Sequence, residues 1–390
     1  MKKIAVVTAT RAEYGLLSPV IRHLRKAESD ELKVELVVTG THLSESFGMT
    51  VSEIAERIDH KIVIPVKTGS ESEISANQAE TLVKFTELFA KEGYSAVVLL
   101  GDRYETLAIA IAAGNTKTPI FHLCGGDTTE GAIDEWIRHS VTKMSYLHFV
   151  TNEQSRRRVI QLGEDPSRVF NYGSTSIDNI LSSSDMSKVD ALKSVGLSEC
   201  RYAICTYHPV TMEGGDVEEY IQSFLDAISC FPELQFIVTK ANADQGGARI
   251  NELLDQAEEK ISNLHVFASL GVKRYLSLMR HSEFVLGNSS SGIIETPSFH
   301  IPTVNIGDRQ RGRLQSESII NCGTSCADIV EAIRTALSDS FIKICKSNSN
   351  PYGDGCAAVN IAEKSIEMIT NGRIDLKKKF YDLKSEGILD

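Results

Sequence analysis

What the chain lacks narrows the reading first. Nowhere in its 390 residues do about eighteen apolar residues run together, so no segment reads as a membrane-crossing helix. The opening MKKIAVVTATRAEYG carries two lysines and an apolar run, but the run is too short for a secretory signal and Arg11 and Glu13 interrupt it, so it reads as a first strand. Positive charge is in deficit, 41 Lys and Arg against 52 Asp and Glu with a net charge of -11, which argues against a general nucleic-acid binder. With 9 prolines and 27 glycines there is no room for a long unstructured linker. The 8 cysteines (124, 200, 205, 230, 322, 326, 345 and 356) are scattered, without the density of a small disulfide framework, so reduced thiols and a cytoplasmic setting are expected. Cys322 and Cys326 form a lone C-x3-C with no second pair and no nearby His, and no metal is expected. No G-x-G-x-x-G follows the first strand, where Thr8-Ala9-Thr10-Arg11 stands instead, which argues against a dinucleotide redox cofactor.

What is present is an ordinary globular composition, 42% hydrophobic and 24% charged, in a chain long enough for two domains. Continuous apolar runs of strand length recur at Ile4–Thr8, Val34–Thr39, Ile62–Val66, Ala96–Leu100, Ile120–Cys124 and Leu147–Val150. Segments of helical period lie between them, as at Leu16 to Leu24, Ala76 to Ala90 and Glu105 to Ala113. Runs without polar alternation indicate strands buried on both faces, hence a parallel, doubly wound α/β sheet. A second series starts at Tyr202–Thr206 and continues through Phe236–Thr239, Leu264–Phe267, Phe284–Leu286 and Thr303–Ile306, with helical patterns at Val217–Cys230 and Ile250–Lys260. The expected division is a first domain over 1–180, a second over 181–365, and a terminal piece, 366–390, returning to the first. The helical pattern of that piece begins at Ala357. Two such domains would turn the carboxyl ends of their strands toward a cleft suited to a ligand with two different halves, such as a nucleotide-sugar.

The candidate site residues follow strands. The stretch FHLCGGDTTEGAIDEWIRH at Phe121 to His139 gathers Asp127, Glu130, Asp134, Glu135, Arg138 and His139 behind two glycines. That is more ionisable chemistry than a strand-to-helix connection needs, although acids also suit a first helical turn. Gly101-Asp102-Arg103 sets a carboxylate beside a guanidinium after the strand ending at Leu100. Arg11 is placed to meet an anion. Gly287-Asn288-Ser289-Ser290-Ser291-Gly292 follows a buried strand and opens a helix toward Glu295. Exposed N–H groups, hydroxyls and a helix dipole there make a diphosphate cradle, and Glu295 could accept from a ribose diol. Arg309, Arg311 and Arg313 supply opposing charge. His208, in Tyr207-His208-Pro209, could donate to a phosphate.

With these stations assembled, the chain resembles the hydrolysing UDP-N-acetylglucosamine 2-epimerases of bacterial sialic-acid pathways, relatives of the epimerase half of the animal bifunctional epimerase/kinase. The likeness runs through TRAEYG at Thr10–Gly15, VTGTHLSESFG at Val38–Gly48, GDRYE at Gly101–Glu105, GGDTTEGAIDEWIRHSVTKM at Gly125–Met144, HPVT at His208–Thr211, GNSSSGIIE at Gly287–Glu295, GDRQRGR at Gly307–Arg313 and YGDG at Tyr352–Gly355. The resemblance implies two Rossmann-like domains as in the B-type glycosyltransferases, no metal, no nicotinamide, a UDP-sugar substrate and a homodimer or homotetramer. Carried over by motif, Arg11, Arg313, Ser290, Ser291 and Glu295 bind UDP, with Arg103 assisting. His208 lies near the phosphates and Asn242 near the sugar. Asp102, Asp127 and Asp134 are the acid/base groups. Many relatives have GGE where Gly125-Gly126-Asp127 stands here, and the glutamate of the non-hydrolysing HVEAGLRT is absent from His122-Leu123-Cys124-Gly125.

The chemistry implied is elimination of UDP from an α-linked 2-acetamido sugar, whose axial C2 proton is trans to the leaving group, followed by hydration of the 2-acetamidoglycal. Clustered carboxylates would raise the pKa of a base for that proton. UDP-N-acetylglucosamine is the first substrate expectation, giving N-acetylmannosamine for sialic acid synthesis. A UDP-linked 2,4-diacetamido-2,4,6-trideoxy-glucose is the alternative. A retaining glycosyltransferase and a non-catalytic nucleotide-sugar sensor are more distant readings.

Overall fold

The computed structural model describes residues 1–45, 48–65, 70–129, 133–182, 186–209, 217–241, 247–371 and 374–383. The chain forms two units, the first made of Met1–Asp127, Ile133–Asn179 and Tyr352–Asp390, the second of Thr128–Ala132 and Ile180–Pro351.

The first unit holds a seven-stranded sheet of β1 (Lys2–Thr8), β2 (Leu32–Thr39), β3 (His60–Ile62), β4 (Ala96–Leu100), β5 (Ile120–Leu123), β6 (Leu147–Val150) and β7 (Val169–Asn171). Its helices are α1 (Arg11–Lys26), α2 (Glu71–Glu92), α3 (Tyr104–Asn115), α4 (Asp134–Met144), α5 (Glu153–Gln161) and α6 (Thr175–Ser182). The strand order is β3-β2-β1-β4-β5-β6-β7 and every pairing is parallel. Strand β1 shows why the runs are continuous: Ile4 and Val6 feed one core with α1, while Ala5 and Val7 feed another with Phe85, Ile109 and Val141 from the helices opposite. The order reverses between β1 and β4, the point where open α/β sheets leave a crevice for ligands.

The second unit runs through α7 (Lys188–Lys193), β8 (Tyr202–Thr206), α8 (Val217–Ser229), β9 (Gln235–Thr239), α9 (Gly247–Glu258), β10 (Leu264–Phe267), α10 (Gly271–Arg280) and β11 (Val285–Gly287). It continues with α11 (Ser290–Ile294), β12 (Thr303–Ile306), β13 (Ile319–Cys322), α12 (Cys326–Ala336) and α13 (Asp339–Ser347). Its parallel sheet has the order β10-β9-β8-β11-β12-β13, reversing between β8 and β11. No helix among the described residues is long and apolar enough to cross a membrane.

The last helix, α14 (Ala357–Thr370), packs on α1 and buries Ala357, Ala358, Ile361, Ala362 and Ile369 in the first unit's core. The second unit therefore ends at Pro351, earlier than the expected 365, because the apolar stripe of α14 has its partner on α1. Beyond it, Lys378 Nζ donates to the Ser145 carbonyl (2.6 Å) and to Glu164 Oε1 (2.8 Å), and Tyr381 N donates to the Gly163 carbonyl (2.9 Å). Glu164 is fully buried. Although burial works the other way, hydrogen bonds from His148, Lys378 and Lys143 hold its carboxyl down to about 2.

Helix α1 tolerates an internal proline for a visible reason. Pro19 has no N–H for the carbonyl of Gly15, one turn earlier, and Asn179 Nδ2 donates to that carbonyl instead at 2.6 Å. The expected strand at Ile62–Val66 is realised as His60–Ile62, paired to Val37–Thr39, and residues 66–69 lie outside the described residues.

Candidate functional site

Two groups of expected residues sit at strand carboxyl ends, one in each unit. In the first unit, the turn after β5 is tight. Cys124 adopts a left-handed φ of 64°, and a Cβ on Gly126 (φ +80°) would lie 2.3 Å from the Ser155 carbonyl, so only glycine fits there. This turn delivers Asp127 to a buried position, 8% exposed. Its Oδ1 accepts from Ser155 Oγ (2.5 Å) in the first turn of α5 and from Thr151 Oγ1 (3.0 Å) and Asn152 Nδ2 (3.5 Å) in the β6–α5 connection.

Asp102, after β4, meets α4. Arg138 Nε donates to Asp102 Oδ2 at 2.8 Å, and Nη2 donates to the same oxygen. Arg138 Nη1 donates to the Asp127 carbonyl (2.8 Å) and to Glu135 Oε2 (3.2 Å). Arg138 therefore links the two aspartates, one through its carboxylate and the other through its main chain. Mutually repelling carboxylates were expected. The structure instead gives Asp102 a guanidinium and Asp127 a set of hydroxyl and amide donors. Asp134 is the exposed first residue of α4, the place an acid takes at a helix start. Glu135, next to it, faces both Arg138 and His139.

Arg11 is the exposed first residue of α1. Arg103 precedes the first turn of α3 without a side-chain capping bond, its Nε donating to Glu105 Oε2 at 3.3 Å and its guanidinium 5.7 Å from the Tyr104 ring centre. The carboxyl with a raised pKa here is Glu13. Burial pushes it up to about 7, against the opposing charge of Arg103. Glu13 Oε2 accepts from Ala9 N (2.7 Å) and Thr10 N (3.3 Å), while Oε1 is buried with no hydrogen-bond partner among the described residues. Its signal was in the sequence, because Thr10 and Glu13 have capping-box spacing and form that box.

In the second unit the β8 and β11 ends are tied by a residue that motif reading passed over. His208 N donates to Asn288 Oδ1 (2.7 Å) and Asn288 Nδ2 donates back to the His208 carbonyl (2.8 Å). The Asn288 carbonyl accepts from Arg309 Nη1 (3.0 Å) and Gln310 Nε2 (2.9 Å), which staples the β12 loop to the serine loop. Gly287 (φ +134°) allows the approach, since a Cβ there would lie 2.0 Å from the Thr206 carbonyl. His208 Nδ1 is buried with no partner among the described residues. Burial, assisted by Arg309, pushes its imidazole down to about 3, so it is a neutral donor or acceptor at neutral pH.

Ser289 caps α11, its side chain accepting from Ser291 N. Ser291 Oγ donates to Glu295 Oε2, and burial pushes the Glu295 carboxyl up to about 7. The helix expected to open here spans only Ser290–Ile294, so its dipole adds little, and Ser291 gives its N–H to Ser289 and its hydroxyl to Glu295. Arg313 lies past β12, with Nε buried and unpartnered among the described residues. Asn242 lies outside the described residues.

Glu35, His60 and Glu92 are the group among the described residues close enough to share a metal. Glu35 already accepts from Lys33 (2.6 Å) and Tyr94 (2.7 Å). These bonds and one from His60 outweigh burial and hold its carboxyl down to about 2. Burial pushes the Cys322 thiol up to about 12, away from a thiolate ligand.

Residues 24–365 match the family model described as UDP-N-acetylglucosamine 2-epimerase. The chain is 37% identical over 388 residues to the polysialic acid biosynthesis protein P7 of Escherichia coli, covering 98% of both chains. It is also 37% identical over 389 residues to the GDP/UDP-N,N'-diacetylbacillosamine 2-epimerase (hydrolyzing) of Campylobacter jejuni, covering 98% of this chain and 99% of the other. In fold it is similar to the UDP-GlcNAc 2-epimerase of Neisseria meningitidis bound to UDP-GlcNAc, with a TM-score of 0.78, 19% identity, and coverage of 94% of this chain and 100% of that one.

Proposed function

Because the chain belongs to the UDP-N-acetylglucosamine 2-epimerase family, we propose that it is a hydrolysing 2-epimerase that releases UDP and a C2-inverted free sugar from a UDP-linked 2-acetamido hexose. The observation that carries the reading is Asp127. It is a buried carboxylate fixed by Ser155, Thr151 and Asn152, two glycines after a position where the non-hydrolysing glutamate is replaced by Cys124.

In this reading the first unit supplies acid and base. Asp102 and Asp127, held in one framework by Arg138, handle the C2 proton and the hydration step, with Asp134 and Glu135 at the start of α4. In the second unit, the Ser290 and Ser291 hydroxyls, Arg313 and a neutral His208 receive the diphosphate as it gains charge, and Glu295 takes the ribose diol. Arg11 and Arg103 add charge from the first unit, and Asn242 is assigned to the sugar. A neutral imidazole donates one N–H without the cost of burying a cation before substrate arrives.

The sequence put UDP-N-acetylglucosamine first. The 2,4-diacetamido alternative gains support from the name of the Campylobacter relative. Incubating the protein with each UDP-sugar, without acceptor or added cofactor, and following UDP and free sugar by NMR tests the reaction and the choice. Transfer that requires an acceptor, or binding without turnover, would replace this reading.

A further inference from the structure

Helix α4 carries Asp134, Glu135 and Arg138 at the end that meets Asp102 and Asp127, and its other end is closed by a residue from far along the chain. A helix leaves its last carbonyls without partners of its own. In α4 the Ser145 hydroxyl donates to the Val141 carbonyl at 2.7 Å, and Ser145 N donates to the Thr142 carbonyl at 3.1 Å. Lys378 takes two more. Its Nζ donates to the Lys143 carbonyl (2.9 Å) and to the Ser145 carbonyl (2.6 Å), and a cation at this end also suits the helix dipole.

The ammonium is itself fixed. It also faces Glu164, whose Oε1 and Oε2 lie 2.8 Å and 2.7 Å away, so all its N–H groups have acceptors. Glu164 is fully buried and accepts in addition from His148 Nε2 (3.1 Å) and Lys143 Nζ (2.9 Å). Two neighbours of Lys378 grip the same place. Tyr381 N donates to the Gly163 carbonyl at 2.9 Å, and the Phe380 ring lies 4.7 Å from Lys143 Nζ and against Gly163, where any Cβ would collide with it. Lys378, Phe380 and Tyr381 thus make this segment a strap across the end of α4.

We infer that Lys378 is a positioning residue for the first unit's acid/base groups: by capping α4 and tying it to Glu164, it fixes where the helix sets Arg138, and through Arg138 the two aspartates. Lys143 and Arg138 are about a turn and a half apart on one continuous helix, so a shift at the capped end reaches the guanidinium. The consequence for turnover rests on the proposed function, whereas the hold on α4 does not.

The test compares Lys378→Met with Lys378→Arg in the full chain, by kinetics on UDP-N-acetylglucosamine and UDP-2,4-diacetamido-2,4,6-trideoxyglucose, calorimetry with UDP, and hydrogen exchange over Asp134–Met144. Lys378→Met should lower kcat roughly tenfold, since a small misplacement of a reacting group is costly. UDP affinity should stay at the wild-type value, because the serine loop and Arg313 belong to the second unit. The amides of α4 should exchange faster. Lys378→Arg keeps a cation with N–H donors and should restore both kcat and exchange. A Lys378→Met enzyme that melts earlier yet turns over at the wild-type rate well below its melting temperature would reduce Lys378 to a structural anchor, and so would a loss that Lys378→Arg shares in full. If Lys378→Met does not fold, Phe380→Ala loosens the strap without removing the cation, and wild-type kcat in that variant would overturn the inference. If wild type releases UDP from neither sugar, the proposed function falls, and unchanged exchange of α4 in Lys378→Met would then be what overturns the hold on the helix.

Discussion

Arg138 and Asp102 form an ion pair with unequal surroundings: the guanidinium is 2% exposed and the carboxylate 26%. The two halves should therefore respond differently to loss of the partner. Asp102→Asn leaves the buried cation only its longer pair with Glu135 and should cost on the order of 2 kcal/mol, whereas Arg138→Met leaves carboxylates that water can reach and should cost less. Urea denaturation of both variants decides it, and equal losses, or a larger one for Arg138→Met, would contradict the asymmetry.

Asp127→Asn should preserve the local fold, because an amide oxygen still accepts from Ser155 and Thr151. Elimination should then outrun hydration, releasing UDP together with an unsaturated 2-acetamidoglycal visible by NMR. In deuterated water the wild-type product should carry deuterium at C2. A product without C2 deuterium, combined with a variant that forms no glycal, would show that the C2–H bond is never broken.

His208 ties stability to acid. Its folded-state pKa near 3 lies below the ordinary 6.5, so the unfolded chain binds the proton more readily and the contribution is lost as pH falls from about 6.5 toward 3. Between pH 7 and pH 5 wild type should lose about 2 kcal/mol relative to His208→Gln. A constant stability difference across that range would place the imidazole in water.

Glu13 works in the opposite direction. Its folded-state pKa near 7 exceeds the ordinary 4.5, so its contribution is complete below pH 4.5 and disappears as pH rises through 7. Glu13→Gln keeps acceptors for Ala9 N and Thr10 N and should gain on wild type by about 1.4 kcal/mol per pH unit across that window. Thermal melts at pH 4.5, 6 and 7 measure the gain, and parallel curves would refute it.

The strands were legible because a parallel strand buried on both faces must be apolar throughout, as β1 is. Edge strands carried less signal. β3 shifted toward His60, and β13 drew no expectation because Ile319–Cys322 is only half-buried and pairs on one side. Within the site, Asp127 could be seen as a candidate, but its partners Thr151 and Ser155 arrive from another strand end and no local spacing announces them. Arg138 stood in the sequence among other charges, and only the packing of α4 made it the link between two aspartates. Lys378 and Glu164 lie 214 positions apart, and no pattern in either segment marks the pair.

The placement of α14 sets an order of events during synthesis. All seven strands of the first sheet are made before Ile180, but the helix that covers α1 emerges only after Ile180–Pro351 has been translated. At ~5–20 residues per second that interval is roughly ten to thirty seconds. At its end the second unit has every segment of its own sheet while α1 still shows the stripe that awaits Ile361 and Ala362. That stripe therefore stays uncovered until the ribosome has nearly finished, and a chain stopped before Ala357 would keep it so.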